Sequence, residues 1–172
     1  AEVIEVAAQD ATLGVVFYTL EQKEMAKPRF RRAMFCLGCH KTSGTQEVPG
    51  LVLFTSSRLS DGSFGSVAYM DHSTPMRERF GGWFVTGAVL PASHRGNEVA
   101  ALSSRTGALA TTAGLYDRDG YLSTSSDVAA LMVFAHQAQT VNSMIRAGWE
   151  ARLAHARPER LRAAASELVD NL

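Results

Sequence analysis

Two cysteines and a histidine fall together in the run Cys36-Leu37-Gly38-Cys39-His40, and these residue types at this spacing suit one chemistry above others. Thiols three positions apart are presented by one turn of backbone to a single edge of a porphyrin, where they add to its two vinyl groups as thioethers. The imidazole that follows directly then reaches the iron as an axial ligand. At ordinary Cys and His frequencies this pattern arises by chance in roughly one chain in a thousand of this size. A redox-active thiol pair would want a βαβ setting, and half of a zinc site would want a second Cys or His pair. The chain has 2 cysteines and 5 histidines, and His72, His94, His136 and His155 stand singly. The motif therefore predicts one covalent haem c, held by Cys36 and Cys39, with His40 as proximal iron ligand. Such attachment is completed outside the energy-transducing membrane, so a periplasmic or other extracytoplasmic location is expected.

The sixth iron position can be filled by His or Met, or stay open. His136 lies one helical turn after Met132 in an apolar run, so its ring is expected to point partly inward; a core histidine bonded to a carbonyl is the plainer alternative. His94 stands in Ser93-His94-Arg95-Gly96-Asn97, where Gly96 would let backbone approach a flat ligand closely. His72 and Met76, in Asp71-His72-Ser73-Thr74-Pro75-Met76, are weaker candidates, and His155 among charged residues reads as solvated. The residues alone leave the choice open. Arg77, Arg79 and Arg95 suit haem propionates, because guanidinium matches carboxylate in a bidentate way. Trp83 could lay its ring on the haem with its N–H turned to a propionate, or fill a strand core. Lys27, Arg29, Arg31, Arg32 and Lys41 surround the motif, against Glu21, Glu24 and Glu47; this is a docking face for an acidic redox partner or a solvated charged face.

These side chains need elements to hold them. Val15 to Leu20 reads as a strand, and Arg29 to Phe35 as a short helix leading into the motif. Leu51 to Thr55, Ser66 to Asp71 and Gly82 to Leu90 read as three strands, with turns at Pro49-Gly50 and Asp61-Gly62, and suggest a small antiparallel sheet. Pro91 to Gly120 is polar and reads as a long loop; Asp117-Arg118-Asp119-Gly120 within it lacks the ligand ladder of a calcium loop and reads as a turn. Ser125 to Asp127 supplies helix-start chemistry for Val128 to Ala147, which Gly148 is expected to stop. Pro158 opens a last helix through about Val169. The expected fold class is α+β: a small antiparallel sheet with flanking helices around one covalently bound haem c, with long loop segments.

Length and composition set the outer bounds. At 172 residues the chain is read as a single c-type cytochrome domain, 1–172. Seventeen basic against seventeen acidic residues give no net charge, which argues against a nucleic-acid partner. No apolar run reaches the roughly 18 to 20 residues of a spanning helix, so no direct membrane span is expected. Numbering from Ala1 fits a mature chain whose targeting segment has been removed.

The stretch from Val15 to Gly148 resembles a group of bacterial mono-haem c-type cytochrome domains. The residues carrying the resemblance are Val16-Phe17-Tyr18-Thr19-Leu20, Pro28-Arg29-Phe30, Cys36-Leu37-Gly38-Cys39-His40, Pro49-Gly50-Leu51 and Asp71-His72-Ser73-Thr74-Pro75. To these are added Glu78-Arg79-Phe80-Gly81-Gly82-Trp83-Phe84-Val85-Thr86-Gly87, His94-Arg95-Gly96-Asn97 and Ala135-His136-Gln137. It implies haem c, leaves the sixth ligand open, and implies that this chain is a short version or a processed piece of a longer one. The leading expectation is an electron-transfer cytochrome with redox protein partners, as a subunit of a larger periplasmic respiratory or photosynthetic assembly. The alternatives are a haem-based enzyme or gas/redox sensor with an open or displaceable sixth ligand, and a module whose haem mainly staples the fold.

Overall fold

The structure is a computed structural model that describes residues 3–58, 64–86, 94–97, 119, 123, 125–154 and 156–172. It is α+β, with small antiparallel sheets and a few helices, as expected. The backbone divides into two compact units, one made of Ala1–Val52 with Ala138–Leu172 and the other of Leu53–Gln137.

In the first unit, β1 (Val3–Asp10) and β2 (Gly14–Glu21) form an antiparallel hairpin running from Val3↔Glu21 to Asp10↔Gly14. The Asp10 carboxylate accepts from the N–H groups of Thr12 and Leu13, both at 2.8 Å, which shapes the turn. Gly14 closes the turn at φ +86, where a Cβ would stand 2.6 Å from the Pro49 carbonyl oxygen. β2 is the strand expected from its β-branched and aromatic run, and it buries Val15, Val16 and Phe17. The pattern of β1 announces nothing, because almost all of it is exposed; pairing with β2 makes it a strand.

The expected helix over Arg29 to Phe35 is replaced by β3 (Arg31–Arg32), paired Tyr18↔Arg32 and Thr19↔Arg31. Ala33 N–H continues the pairing onto the Phe17 carbonyl at 2.8 Å. The free edge of β2 captures this backbone, and the chain coils only afterwards, in a 3-10 turn at Met34–Cys36 that runs into α1 (Leu37–His40). Val15, Phe17, Ala33, Val48 and Ile145 form the core here, with Cys36, Leu37, Leu51, Val141 and Trp149 packed on it.

Helix α2 (Val128–Arg152) passes through Gly148 and does not stop there. Beyond that glycine, the Trp149 indole N–H and an Arg152 guanidinium N–H donate to the Thr12 carbonyl at 3.1 and 2.8 Å. Anchors of this kind outweigh the roughly 1 kcal/mol a glycine costs inside a helix. Helix α3 (Pro158–Asp170) matches expectation and is tied by Arg146–Glu167 at 2.9 Å and by Arg160 to the buried Glu150 at 2.7 Å.

In the second unit, β4 (Leu53–Arg58) and β5 (Phe64–Met70) pair antiparallel from Leu53↔Met70 onward, with Phe54 and Tyr69 stacked at 5.3 Å. β4 begins two residues after the expected start at Leu51, whose N–H and C=O are both bonded to the Asn142 side chain. The third expected strand, Gly82 to Leu90, does not form where it is described. Phe80 and Gly82 have φ of 66 and 84, which break extended backbone, and among the described residues of this stretch the pairing is a parallel bridge Thr86↔Asp127. Residues 78–83 lie along β4 through separate bonds: Thr55 Oγ1 to the Glu78 carbonyl, Gly81 N–H to Thr55 Oγ1, Ser56 N–H to the Gly81 carbonyl. The core is Met70, Phe80, Val85 and Val128, with Leu53, Met76, Trp83 and Leu131 against it. Asp127 caps α2, its Oδ1 accepting from Ala129 and Ala130 N–H at 2.8 and 3.2 Å. The Asp61-Gly62 turn, His155 and most of Pro91 to Gly120 lie outside the described residues.

Candidate haem-attachment site

The first unit holds the cysteine motif on a single turn of helix. Cys36 closes the 3-10 turn and Cys39 lies in α1; both are free thiols, the first half-buried against the core and the second exposed. A Cβ built on Gly38 between them would touch nothing within 4 Å, so the backbone between the two thiols faces open space. Burial pushes the Cys36 thiol above its ordinary pKa, and the negative charges of Glu5 and Cys39 add to this.

The geometry of His40 is the most informative feature. Its ring packs on Phe17 with centroids 4.4 Å apart, and its Nδ1 lies 3.0 Å from the Gly50 carbonyl oxygen. A carbonyl only accepts, so Nδ1 carries the proton and donates; the lone pair is left on Nε2, the tautomer a metal needs. The bond is answered in reverse, because Gly50 N–H donates to the His40 carbonyl at 2.9 Å. Gly50 is itself fixed from behind. Asn142, with 1% of its surface exposed, accepts from Leu51 N–H at 2.8 Å and donates to Leu51 C=O at 2.7 Å. A Cβ on Gly50 would collide with the Asn142 side-chain oxygen, so glycine is required for the close approach. Asn142 on α2 thus orients His40 through two intervening backbone residues, a support of the kind that fixes a ligand's tautomer and aim.

Around the motif Phe30, Met34 and Phe35 are 56, 57 and 73% exposed. Large apolar side chains this open beside the motif mark a surface suited to an apolar ligand or partner. The nearest cavity does not serve: it measures about 210 Å³, lies among Val15, Phe17, Leu37, Pro49 and Trp149, and includes neither the cysteines nor His40. It falls below the roughly 300 Å³ at which pockets begin to hold drug-sized ligands. Cys36, Cys39 and His40 have the donor chemistry a covalent porphyrin would need and Gly38 between the thiols lies open, whereas the cavity is too small for one.

The remaining candidates all belong to the second unit. The Gly96 N–H donates to His94 Nδ1 at 3.0 Å, so Nδ1 accepts and neutral His94 carries its proton on Nε2. That tautomer offers iron no lone pair, which argues against His94 as sixth ligand. Nor does Gly96 leave room for a flat ligand: a Cβ there would meet Val85 and the His94 ring itself. His72 and His136 stand edge to face, with centroids 5.0 Å apart. Met76 is half-buried at the start of a 3-10 turn and packs on the Met70–Phe80 core. Arg79 donates to the backbone carbonyls of His72 and Thr74, so it clamps its own loop. The Trp83 N–H donates to the Phe54 carbonyl at 2.9 Å, which takes the donor proposed for a propionate. Arg95 is half-buried, and its N–H bonds the Arg79 carbonyl at 2.8 Å.

Gly50 and Asn142, which support His40, are residues that sequence reading passed over. Pro49-Gly50 reads only as a turn. Asn142 carried a usable signal, since it interrupts the apolar helix face of Ala138, Val141 and Ile145. Among the described residues no cluster of three or more His, Cys, Asp or Glu side chains is placed to hold a metal ion, and no helix is long and apolar enough to cross a membrane. Compared with protein-family models, with curated proteins and with solved structures, the chain finds no match.

Proposed function

We propose that this chain is a mono-haem c-type cytochrome domain that carries electrons in an extracytoplasmic compartment. The observation that carries the reading is His40, whose Nδ1–H is bonded to the Gly50 carbonyl one residue beyond a C-x-x-C pair on the same helical turn. Haem c, when bound, supplies one-electron chemistry. The chain's own residues would do the rest: Cys36 and Cys39 would hold the porphyrin edge and His40 Nε2 would bind the iron, the Gly50 carbonyl holding the proton on Nδ1 and so leaving the neutral ring's lone pair on Nε2. Lys27, Arg29, Arg31, Arg32 and Lys41 are all exposed, which suits steering toward an acidic redox partner, whether free or within a larger assembly.

The test is production in a host that attaches haem c, followed by extraction with acidified acetone and spectra of both redox states. Pigment that stays on the protein, with a reduced spectrum unaffected by carbon monoxide, is expected. Pigment that extracts completely would overturn the cofactor. Pigment that stays but binds carbon monoxide tightly would replace the carrier by the alternative, a haem enzyme or sensor.

A further inference from the structure

His72 and His136 entered as separate candidates, yet the fold places them together. Their ring centroids lie 5.0 Å apart, with the ring planes at 65°. Two imidazoles bound to one ion at 2.0–2.1 Å, at a near-tetrahedral angle, would have their centroids about 5 Å apart. Ordinary edge-to-face packing gives the same spacing, so the distance alone decides nothing. The second observation does: His72 Nδ1 is buried and, among the described residues, has no hydrogen-bond partner. A buried polar atom left so normally costs on the order of 1–3 kcal/mol, and one retained in a native fold calls for a ligand or a chemical role.

The loop that carries His72 is also fixed more firmly than a surface turn requires. Asp71 Oδ1 accepts from Ser73 N–H at 2.8 Å, from the Ser73 hydroxyl at 2.6 Å and from Thr74 N–H at 3.1 Å. Arg79 clamps the carbonyls of His72 and Thr74 from the other side. The Asp71 and Arg79 charges offset each other, so the loop does not repel a cation. His136 comes from α2, a rigid element. A fixed loop and a helix thus present two imidazoles to each other, one with a buried, unsatisfied nitrogen.

We propose that His72 and His136 form a two-imidazole site for a borderline divalent transition-metal ion of the copper, nickel or zinc class. Imidazole suits these ions, and hard cations such as magnesium or calcium would prefer oxygen. The positions that the two histidines do not fill fall to water or an external ligand, since no third His, Cys, Asp or Glu among the described residues completes a cluster. The inference does not rest on the haem reading, because every residue it uses lies in Leu53–Gln137, whereas the cysteine motif lies in the other unit.

The experiment is titration of the full chain, in its pigmented form, with Cu2+, read by electron paramagnetic resonance and by calorimetry. One equivalent bound with splitting from two nitrogens is expected, with that pattern lost and affinity reduced about tenfold or more in each of H72Q and H136Q. Circular dichroism checks that both variants fold. Binding unchanged by either substitution would overturn the site. So would wild-type protein that takes up no copper, a result that needs no variant to fold and that would follow if haem iron already held one of these imidazoles. Pigment retention in acid acetone is read separately, so failure of the copper site and failure of the cofactor assignment give different results.

Discussion

The two units of the molecule use one device to opposite ends. In each, a buried asparagine bonds both the N–H and the C=O of a single residue: Asn142 those of Leu51 in one, Asn97 those of Val85 in the other. The Leu51 that Asn142 holds follows Gly50, which bonds His40 at Nδ1, whereas Asn97 itself follows Gly96, which bonds His94 at Nδ1. The partner differs. Gly50 offers His40 a carbonyl and so makes it a donor at Nδ1; Gly96 offers His94 an N–H and so makes it an acceptor there. One backbone group decides whether a half-buried or buried imidazole presents a lone pair or a proton at Nε2. Which ring nitrogen a neutral histidine can offer to a metal is therefore set as much by the groups behind the ring as by the histidine itself.

The sharpest way to break this contrast is at the covalent level. The double substitution Cys36→Ala with Cys39→Ala is expected to abolish acid-resistant pigment altogether, and His40→Ala to remove the low-spin spectrum while leaving the thioethers. His94→Gln is expected to keep both the covalent pigment and the low-spin spectrum. If His94→Gln instead converts the iron to a high-spin form, the tautomer argument fails and His94 is the sixth ligand after all.

A smaller effect, and a finer comparison, comes from the two asparagines. Each Asn→Ala change leaves two backbone groups without partners, a cost of about 2–4 kcal/mol in denaturant unfolding. The costs should not be equal. Ala is the better helix former at 142, which returns up to about 0.7 kcal/mol. At 97 the backbone sits at φ 68, where Ala is strained by about 1–2 kcal/mol. N97A should therefore be the less stable protein, and N142A the only one whose reduction potential shifts, because only N142A loosens the carbonyl that polarises His40. A weaker bond to that carbonyl makes the imidazole a poorer donor, so the potential should rise. A potential that moves equally in both variants would show that general loosening, and not the Gly50 bond, is responsible.

How much of this could be read in advance depends on whether a local signal competed with a distant one. The cysteine motif, β2, β5 and α3 carry their own patterns, and they fold as those patterns direct. Arg29 to Phe35 has helix-forming residues but lies beside the free edge of β2, and strand pairing takes precedence over propensity. Gly82 to Leu90 looks like a strand by composition, yet Phe80 and Gly82 turn the backbone away from the extended region at the start of its described part, 82–86. Gly148 signals a stop that Trp149 and Arg152 override through bonds to Thr12, more than a hundred residues away in sequence. At the candidate site Cys36, Cys39 and His40 stand out in the sequence because the chemistry proposed for them demands adjacency. The support from Gly50 and Asn142 does not, since it depends on which backbone group faces which ring nitrogen.

The smallest expected effect concerns the two aspartates that shape turns, Asp10 in the first unit and Asp71 in the second. Both accept backbone N–H bonds two and three residues ahead. For Asp71, burial by itself raises the pKa, but the Ser73 hydroxyl, the N–H groups of Ser73 and Thr74 and the nearby His72 together hold it below the ordinary value. Asp10 is also lowered, first by Leu13 and Thr12 N–H, but it is fully exposed. A carboxylate whose pKa is depressed in the folded state contributes stability above its unfolded pKa, and that contribution is lost as pH falls through the folded value. Stability should thus decline from about pH 4 downward, and D71N should flatten that decline by under about 1 kcal/mol once solvent screening is allowed for. D10N should flatten it less, since water screens an exposed carboxylate whether or not the turn is formed. Unfolding curves at pH 6 and pH 3 for the two variants check the order. If D10N has the larger effect, burial of the 71–74 turn is not what makes its hydrogen bonds count, and the rigidity invoked for His72 loses its basis.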